Sequence, residues 1–136
     1  MLDKLPDNIE NIIKHGSNAF FINELGEEFP IDKFASFFYI TKAKNTVKVE
    51  GLEEYYTEYL PKTVHMYISP ANAKSFGLHK DPYDVIIKCI LGKKTMVIDN
   101  KLHTIHEGEE MIIPANIEHN ATNEFDSIIL SIGDNS

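Results

Sequence analysis

The chain has 136 residues, of which 43% are hydrophobic and 25% charged, and its formal net charge is −8. This length and composition suit one globular domain with a buried core. The acidic balance argues against a nucleic-acid backbone as the main partner, because phosphate binding requires a basic surface.

We expect neither a secretory signal nor a membrane span in this sequence. Its one cysteine, Cys89, has no second cysteine with which to form a disulfide within the chain. The first residues carry acids and a proline where a secretory signal needs an apolar run, and no apolar stretch approaches the ~18 residues of a membrane span. We therefore expect a cytoplasmic protein that makes no membrane contact.

The first 62 residues are predicted to be mostly helical. Ile9, Ile12 and Ile13 recur at the spacing of one apolar helix face, which predicts a helix over Pro6 to His15. The further elements predicted in this part are a strand over Ala19 to Leu25, a helix over Ile31 to Tyr39, a strand over Thr46 to Glu50 and a helix over Leu52 to Leu60.

From Thr63 onward the apolar period changes from that of helices to two, which indicates strands. The predicted strands are Val64 to Ser69, Val85 to Leu91, Thr95 to Asp99, Leu102 to Ile105, Glu110 to Ile113 and Ser127 to Ile132. Several short strands at this close spacing are typical of a sandwich or a barrel.

Three residues in the stranded half have the side chains of a metal site. His79 and Asp81 lie two apart, so on an extended segment they point to the same side. His119 follows Pro114, which ends strand pairing and begins a turn. Two histidines and one carboxylate can form a facial triad that leaves coordination positions open on iron. Taken separately, each half also fits a surface loop or a structural histidine without a metal.

Two other patterns were weighed as sites. His103 and His106 are a rival metal pair, but a spacing of three puts them on opposite faces of a strand, so a solvated hairpin is favoured. Cys89 shares the parity of Val85 and Ile87, which favours a buried small hydrophobic side chain over a chemical role.

The stretch from Val64 to Gly133 resembles the cupin fold, and more closely the JmjC-type Fe(II)/2-oxoglutarate-dependent oxygenases of the ribosomal-protein hydroxylase group. The segments that carry the resemblance are His65-Met-Tyr67-Ile-Ser69-Pro70, Gly77-Leu-His79-Lys-Asp81-Pro-Tyr-Asp84-Val85, Gly92-Lys93-Lys94 and Gly108-Glu-Glu-Met-Ile-Ile-Pro114-Ala-Asn-Ile-Glu-His119. The chain departs from the family pattern where His65 replaces an asparagine, Cys89 a glutamine, Glu109 an aspartate and Asn116 a glycine.

The resemblance implies a role for five residues. His79, Asp81 and His119 would be the Fe(II) ligands and thus the catalytic centre, Lys94 would pair with the distal carboxylate of 2-oxoglutarate, and Tyr67 would hydrogen-bond the same cosubstrate. From the residues alone, an exposed turn lysine is the favoured interpretation of Lys94, and a core tyrosine is an equally good interpretation of Tyr67.

The fold that the resemblance implies is mainly β, a double-stranded β-helix or cupin jelly roll with N-terminal helices. Residues 1–136 would form a single domain, in which a helical N-terminal decoration (1–62) precedes the jelly-roll core (63–133). The larger hydroxylases carry further modules that help to hold a protein substrate, and 136 residues provide no room for them.

The expected function is an Fe(II)/2-oxoglutarate-dependent oxygenase that hydroxylates an amino acid, a short peptide or another small molecule and releases succinate and CO₂. Two alternatives stay open: another metal-dependent cupin enzyme, such as an isomerase, a lyase or a 2-oxoglutarate-independent dioxygenase, and a non-catalytic cupin that binds a metal or ligand. We expect no nucleic-acid or membrane partner, and a homodimer is the default expectation.

Overall fold

The computed structural model of the chain describes residues 4–73 and 77–134. Its helices are α1 (Asp7–His15) and α2 (Ser36–Thr41), and its strands are β1 (Asn18–Ile22), β2 (Glu28–Ile31), β3 (Thr46–Glu50), β4 (Thr63–Ser69), β5 (Val85–Ile98), β6 (Lys101–His106), β7 (Glu110–Ile113), β8 (His119–Ala121) and β9 (Ser127–Gly133). Within these ranges, neither helix is long and apolar enough to cross a membrane.

The strands form one antiparallel network that folds over on itself. Its order is β2-β1-β3-β4-β9-β5-β6, and β7 and β8 each pair with β5 as well. The first half of β5 pairs with β7 and β9, whereas its second half pairs with β6 and β8. Strand β5 therefore passes from one sheet into the other, as the predicted jelly roll requires.

Side-chain alternation along β4 separates two hydrophobic cores. Val64, Met66 and Ile68 are fully buried against the helices on the outer face of the main sheet. Tyr67, one step out of phase, packs with the second cluster inside the barrel. The alternation of side chains along β4 thus produces an outer core that anchors α1 and α2, and an inner core that surrounds a cavity.

The predicted elements of the first half are only partly confirmed. Helix α1 matches its prediction, but the helix expected over Leu52 to Leu60 is wrong, because this stretch forms two short 3-10 turns. The helix expected over Ile31 to Tyr39 is also wrong in extent, because Ile31 ends β2 and the Asp32 carboxylate caps a 3-10 turn that precedes α2.

The description of residues 1–62 as a helical decoration needs correction. Strands β1, β2 and β3 come from this part and extend the main sheet beyond β4. Strand β8 was not predicted, because three residues are too short to display a period, and strand β2 was not predicted, because its Pro30 weakens the signal of a strand.

A β-bulge in β5 decides which of its side chains face the inside of the barrel. Cys89 pairs with Ile129 while Leu91 pairs with Ile128, so β5 carries one extra residue at this point. Before the bulge the odd-numbered side chains face inward, and after it the even-numbered ones do. The sequence predicted two separate strands here, whereas the structure has one continuous strand from Val85 to Ile98.

Candidate metal centre and adjoining cavity

A cavity of about 170 Å³ lies inside the barrel, between the two sheets. Its walls come from β3, β4, β5, β8, β9 and the loop before β5. The residues that line it are Thr46, Thr63, His65, Tyr67, Ser69, His79, Asp81, Tyr83, Val85, Ile87, Lys94, Met96, His119, Ala121, Asn123, Ile129, Ser131 and Gly133. All five residues predicted to form the site are among them.

His79, Asp81 and His119 come together at one end of this cavity. One ligand atom from each lies within 4.8 Å of the others, and His119 Nε2 is 3.5 Å from Asp81 Oδ2. The two imidazole rings meet edge to face, with their centroids 4.3 Å apart. Among the described residues, this is the one group of three or more such side chains that could hold a metal ion, and the rival pair His103 and His106 forms no such group.

The backbone holds the two histidines opposite each other. His79 N–H donates to the His119 carbonyl at 3.0 Å, and His119 N–H donates to the His79 carbonyl at 2.9 Å. His119 Nδ1 lies 3.0 Å from the Ile117 carbonyl. Because a carbonyl can only accept, a hydrogen bond here uses Nδ1–H as the donor and directs Nε2, the nitrogen that faces Asp81, toward the position of a metal ion.

The donor set fits a divalent transition metal. Two imidazoles and one carboxylate on the same side suit Fe(II), and also Mn(II), Ni(II) or Zn(II). His79 is exposed, Asp81 is half-buried and His119 is buried, so one side of the triad opens toward solvent. This opening leaves room for further ligands beside the three side chains.

Lys94 lies at the other end of the cavity and is 3% exposed. Its Nζ donates to Asn123 Oδ1 at 2.8 Å and to Ser69 Oγ at 3.2 Å, and both partners are neutral. Within the described ranges no carboxylate pairs with this ammonium group. Burial lowers the pKa of Lys94 to about 8.

The bulge in β5 explains how Lys94 reaches the interior. If side chains alternated without interruption from Val85 onward, Lys94 would have the opposite parity to Val85 and Ile87 and would point outward. Gly92 permits the bend with φ +75°, and a side chain there would collide with the Asp126 carbonyl. The turn-lysine interpretation is therefore wrong, because Lys94 lies within a strand and faces the cavity.

Tyr67 lies in the middle of the wall between the two ends. It pairs with Ile129 on β9 and with Lys48 on β3. Burial raises the pKa of Tyr67 to about 12, with Lys48 opposing and Glu28 and Glu50 adding to the effect. The phenol therefore keeps its proton and is a hydrogen-bond donor at neutral pH.

His65 lies one step nearer the triad end, opposite Ser131. Burial and the nearby Lys48 lower its pKa, so the ring is neutral at pH 7. Its Nδ1 is buried and makes no hydrogen bond to any residue that the structure describes. This wall thus presents a neutral polar group to the cavity.

Sequence reasoning missed two residues of the Lys94 end. Ser69 shares the parity of Tyr67 on β4, so alternation would have placed it on the same inner face. Asn123 follows β8 with φ +52°, and its amide links Lys94 to the Ala73 carbonyl. No period marks such a residue, because it acts from a loop.

A folded-over antiparallel barrel with two imidazoles and a carboxylate at one end of its cavity defines the cupin class, which confirms the predicted fold. The JmjC domain model matches residues 39–135. The chain belongs to this family, whose members are typically metal-dependent cupin oxygenases. No curated protein matches the chain significantly by sequence.

Several solved structures share the fold. YcfD, a ribosomal oxygenase from Escherichia coli, aligns with a TM-score of 0.68 and 15% identity over 98% of this chain and 44% of its own. The conserved protein SPY1581 of unknown function from Streptococcus pyogenes aligns with a TM-score of 0.58 and 14% identity, over 85% of this chain and 95% of its own. An RmlC-like cupin from Shewanella frigidimarina aligns with a TM-score of 0.54 and 10% identity, over 67% of this chain and 77% of its own. The chain spans less than half of YcfD, and at these identities the matches establish the fold alone.

Proposed function

We propose that the protein is an Fe(II)/2-oxoglutarate-dependent oxygenase that hydroxylates a small molecule or a short peptide. The observation that carries this proposal is the buried ammonium group of Lys94, which shares one cavity with the triad and has no carboxylate partner among the described residues. A buried cation is costly unless an anion neutralises it.

A dicarboxylate matches the two ends of the cavity. Its distal carboxylate would accept hydrogen bonds from Lys94 and Ser69, while its other end would face His79, Asp81 and His119. Tyr67 lies on the wall between them and offers a phenol donor. Charge-assisted hydrogen bonds of this kind are about twice as strong as neutral ones, which gives the Lys94 end its preference for an anion.

His79, Asp81 and His119 would hold Fe(II), which, with O₂ as the oxidant, would supply the oxidative decarboxylation of 2-oxoglutarate to succinate and CO₂ and the hydroxylation coupled to it. The chain's own contribution is to orient the cosubstrate and to exclude water. Lys94 acts as a donor at the buried end and Tyr67 as a donor on the wall between the two ends, where the apolar side chains of Ile87, Met96 and Ile129 also line the cavity.

The substrate would approach along the wall formed by His65 and Ser131. These residues pair with each other two positions along β4 and β9 from the Tyr67–Ile129 pair, line the cavity, and are both neutral hydrogen-bonding groups. A substrate at this wall would be a small molecule or one side chain of a short peptide.

The direct test is an anaerobic titration of the Fe(II)-loaded protein with 2-oxoglutarate, followed by visible absorption. We expect a charge-transfer band that saturates at one equivalent, and Fe(II)-dependent succinate formation once O₂ is admitted. Tight iron binding without binding or turnover of 2-oxoglutarate would contradict the proposal. That result would favour another metal-dependent cupin enzyme or a non-catalytic cupin.

A further inference from the structure

Two separate segments carry the ligands of the candidate metal centre. His79 and Asp81 lie on the loop before β5, which we call the first ligand loop (77–84). His119 begins β8, after the turn that starts at Pro114, which we call the second ligand turn (114–119). Metal affinity depends on how well these two segments hold their side chains in place before the metal arrives.

Hydrogen bonds join the two segments at three levels. The paired bonds between His79 and His119 form the first level. At the second, Asn116 N–H donates to the Asp81 carbonyl at 2.7 Å. At the third, Ala115 N–H donates to the Asp84 carboxylate Oδ1 at 2.8 Å. The first two levels use backbone atoms alone, so Asp84 contributes a side-chain bond that a substitution can remove.

The second ligand turn has a conformation that benefits from such an anchor. Asn116 has φ +65°, a left-handed conformation that costs a residue other than glycine about 1 kcal/mol. Asparagine tolerates it better than most residues, but the turn gains from external bonds at this position and at the residue before it. The bonds from Ala115 to Asp84 and from Asn116 to Asp81 provide them.

We propose that Asp84 is a positioning residue for the metal centre. By holding Ala115, its carboxylate sets where the second ligand turn enters β8 and therefore where His119 lies relative to His79 and Asp81. Asp84 is exposed and does not line the cavity, so it acts through the backbone and not on the bound molecules. This inference rests on the proposed metal site.

The test is a titration of the metal-free protein with Co(II), read from the visible absorption of the bound ion. Asp84→Ala should weaken Co(II) affinity about tenfold, the lower range for residues that orient metal ligands. Asp84→Asn keeps an oxygen acceptor and should stay within about twofold of wild type. Asp32→Ala is the matched control, because Asp32 makes an equivalent 2.8 Å bond to the Phe34 N–H far from the site.

Thermal unfolding of the metal-free variants separates positioning from general stability. We expect Asp84→Ala and Asp32→Ala to lower Tm by similar amounts, whereas only Asp84→Ala reduces the rise in Tm that Co(II) produces. Equal Co(II) affinity of wild type and Asp84→Ala would overturn the role of Asp84 and leave the metal site intact. Failure of the wild-type protein to bind Co(II) would overturn both proposals. If Asp84→Ala does not fold, Asp84→Asn takes its place in the titration. A Co(II) affinity of Asp84→Asn as low as that of the ligand variant His79→Ala would also contradict the positioning role.

Discussion

The two ends of the cavity are built in different ways. Lys94 is a buried residue of β5 whose ammonium group is hydrogen-bonded by two neutral side chains. These are Ser69, on β4, and Asn123, in the loop after β8. The triad end is formed by a loop and a turn, and its ligands range from the exposed His79 to the buried His119. The Lys94 end is therefore a buried cationic group fixed by its neighbours, whereas the triad end stays open to solvent and depends on how two segments are joined.

Loss of a triad ligand should have the largest effect and would test the open end. We expect His79→Ala and Asp81→Ala to weaken metal binding by more than about a hundredfold, beyond the usual range for residues that only orient ligands, and to abolish succinate formation. Metal titration and succinate measurement provide the check. His106→Ala is the control, because His106 is an exposed histidine on β6 away from the cavity. Retained metal binding in both ligand variants would contradict the assigned site.

Replacement of Lys94 should have the next largest effect and would test the buried end. Lys94→Met removes a charge-assisted bond of about 1.5–3 kcal/mol, so 2-oxoglutarate affinity should fall about tenfold to a hundredfold. Because the buried charge is also removed, thermal stability without ligand should stay the same or rise.

Lys93→Met is the matched control for this change, because Lys93 is the exposed neighbour and lies over the Phe125 ring. Titration with 2-oxoglutarate and thermal unfolding measure the two effects. A Lys94→Met variant that binds the cosubstrate as well as Lys93→Met does would show that the two ends do not share a dicarboxylate.

The pH dependence of binding would sharpen the same contrast. Burial lowers the pKa of Lys94 to about 8, so the ammonium form that attracts a carboxylate dominates below pH 8 and is lost above it. Affinity for 2-oxoglutarate should therefore fall above pH 8, by up to about tenfold per pH unit. Calorimetric titration between pH 7 and pH 9 (roughly one unit on either side of this pKa) would reveal it, and Lys94→Met should lack this component.

The same pKa shift has the opposite consequence for stability of the ligand-free protein. An unfolded lysine titrates near its ordinary pKa of 10.5, above the folded value of about 8. Between these values the unfolded chain binds more protons, so the contribution of Lys94 to the free energy of unfolding rises with pH. Comparison of wild type with Lys94→Met by denaturant unfolding at several pH values isolates this contribution.

Loss of the Tyr67 hydroxyl should have the smallest effect, because it lies between the two ends. Its pKa of about 12 keeps the phenol protonated, and removal of one such donor costs about 1 kcal/mol. Tyr67→Phe should therefore weaken 2-oxoglutarate binding about fivefold, with metal affinity unchanged. Tyr39→Phe, on the outer face of the sheet against Phe21, is the control. An unaltered affinity for the cosubstrate would place Tyr67 outside its site.

Local patterns in the sequence predicted much of the fold correctly. The apolar spacing of Ile9, Ile12 and Ile13 predicted α1, and alternation predicted most strands from β4 onward. The helix expected over Leu52 to Leu60 failed, because a helical period in nine residues cannot exclude 3-10 turns that pack against a sheet. Strands as short as β8 depend on the partner that pairs with them, which no local pattern contains.

By itself, the sequence determined which side chains are available: a histidine and an aspartate two residues apart, a later histidine after a proline, and a lysine between two predicted strands. Only the tertiary structure decided that these groups share one cavity. His79 meets His119 through backbone pairing between segments forty residues apart, shown by the His79–His119 bridge. Lys94 faces inward because one extra residue in β5 reverses its parity, and Tyr67 faces inward because β4 packs its other face against the helices. The directions of these side chains are set by pairing between segments that are distant in the chain and by a single bulge. Neither has a local signature in the sequence.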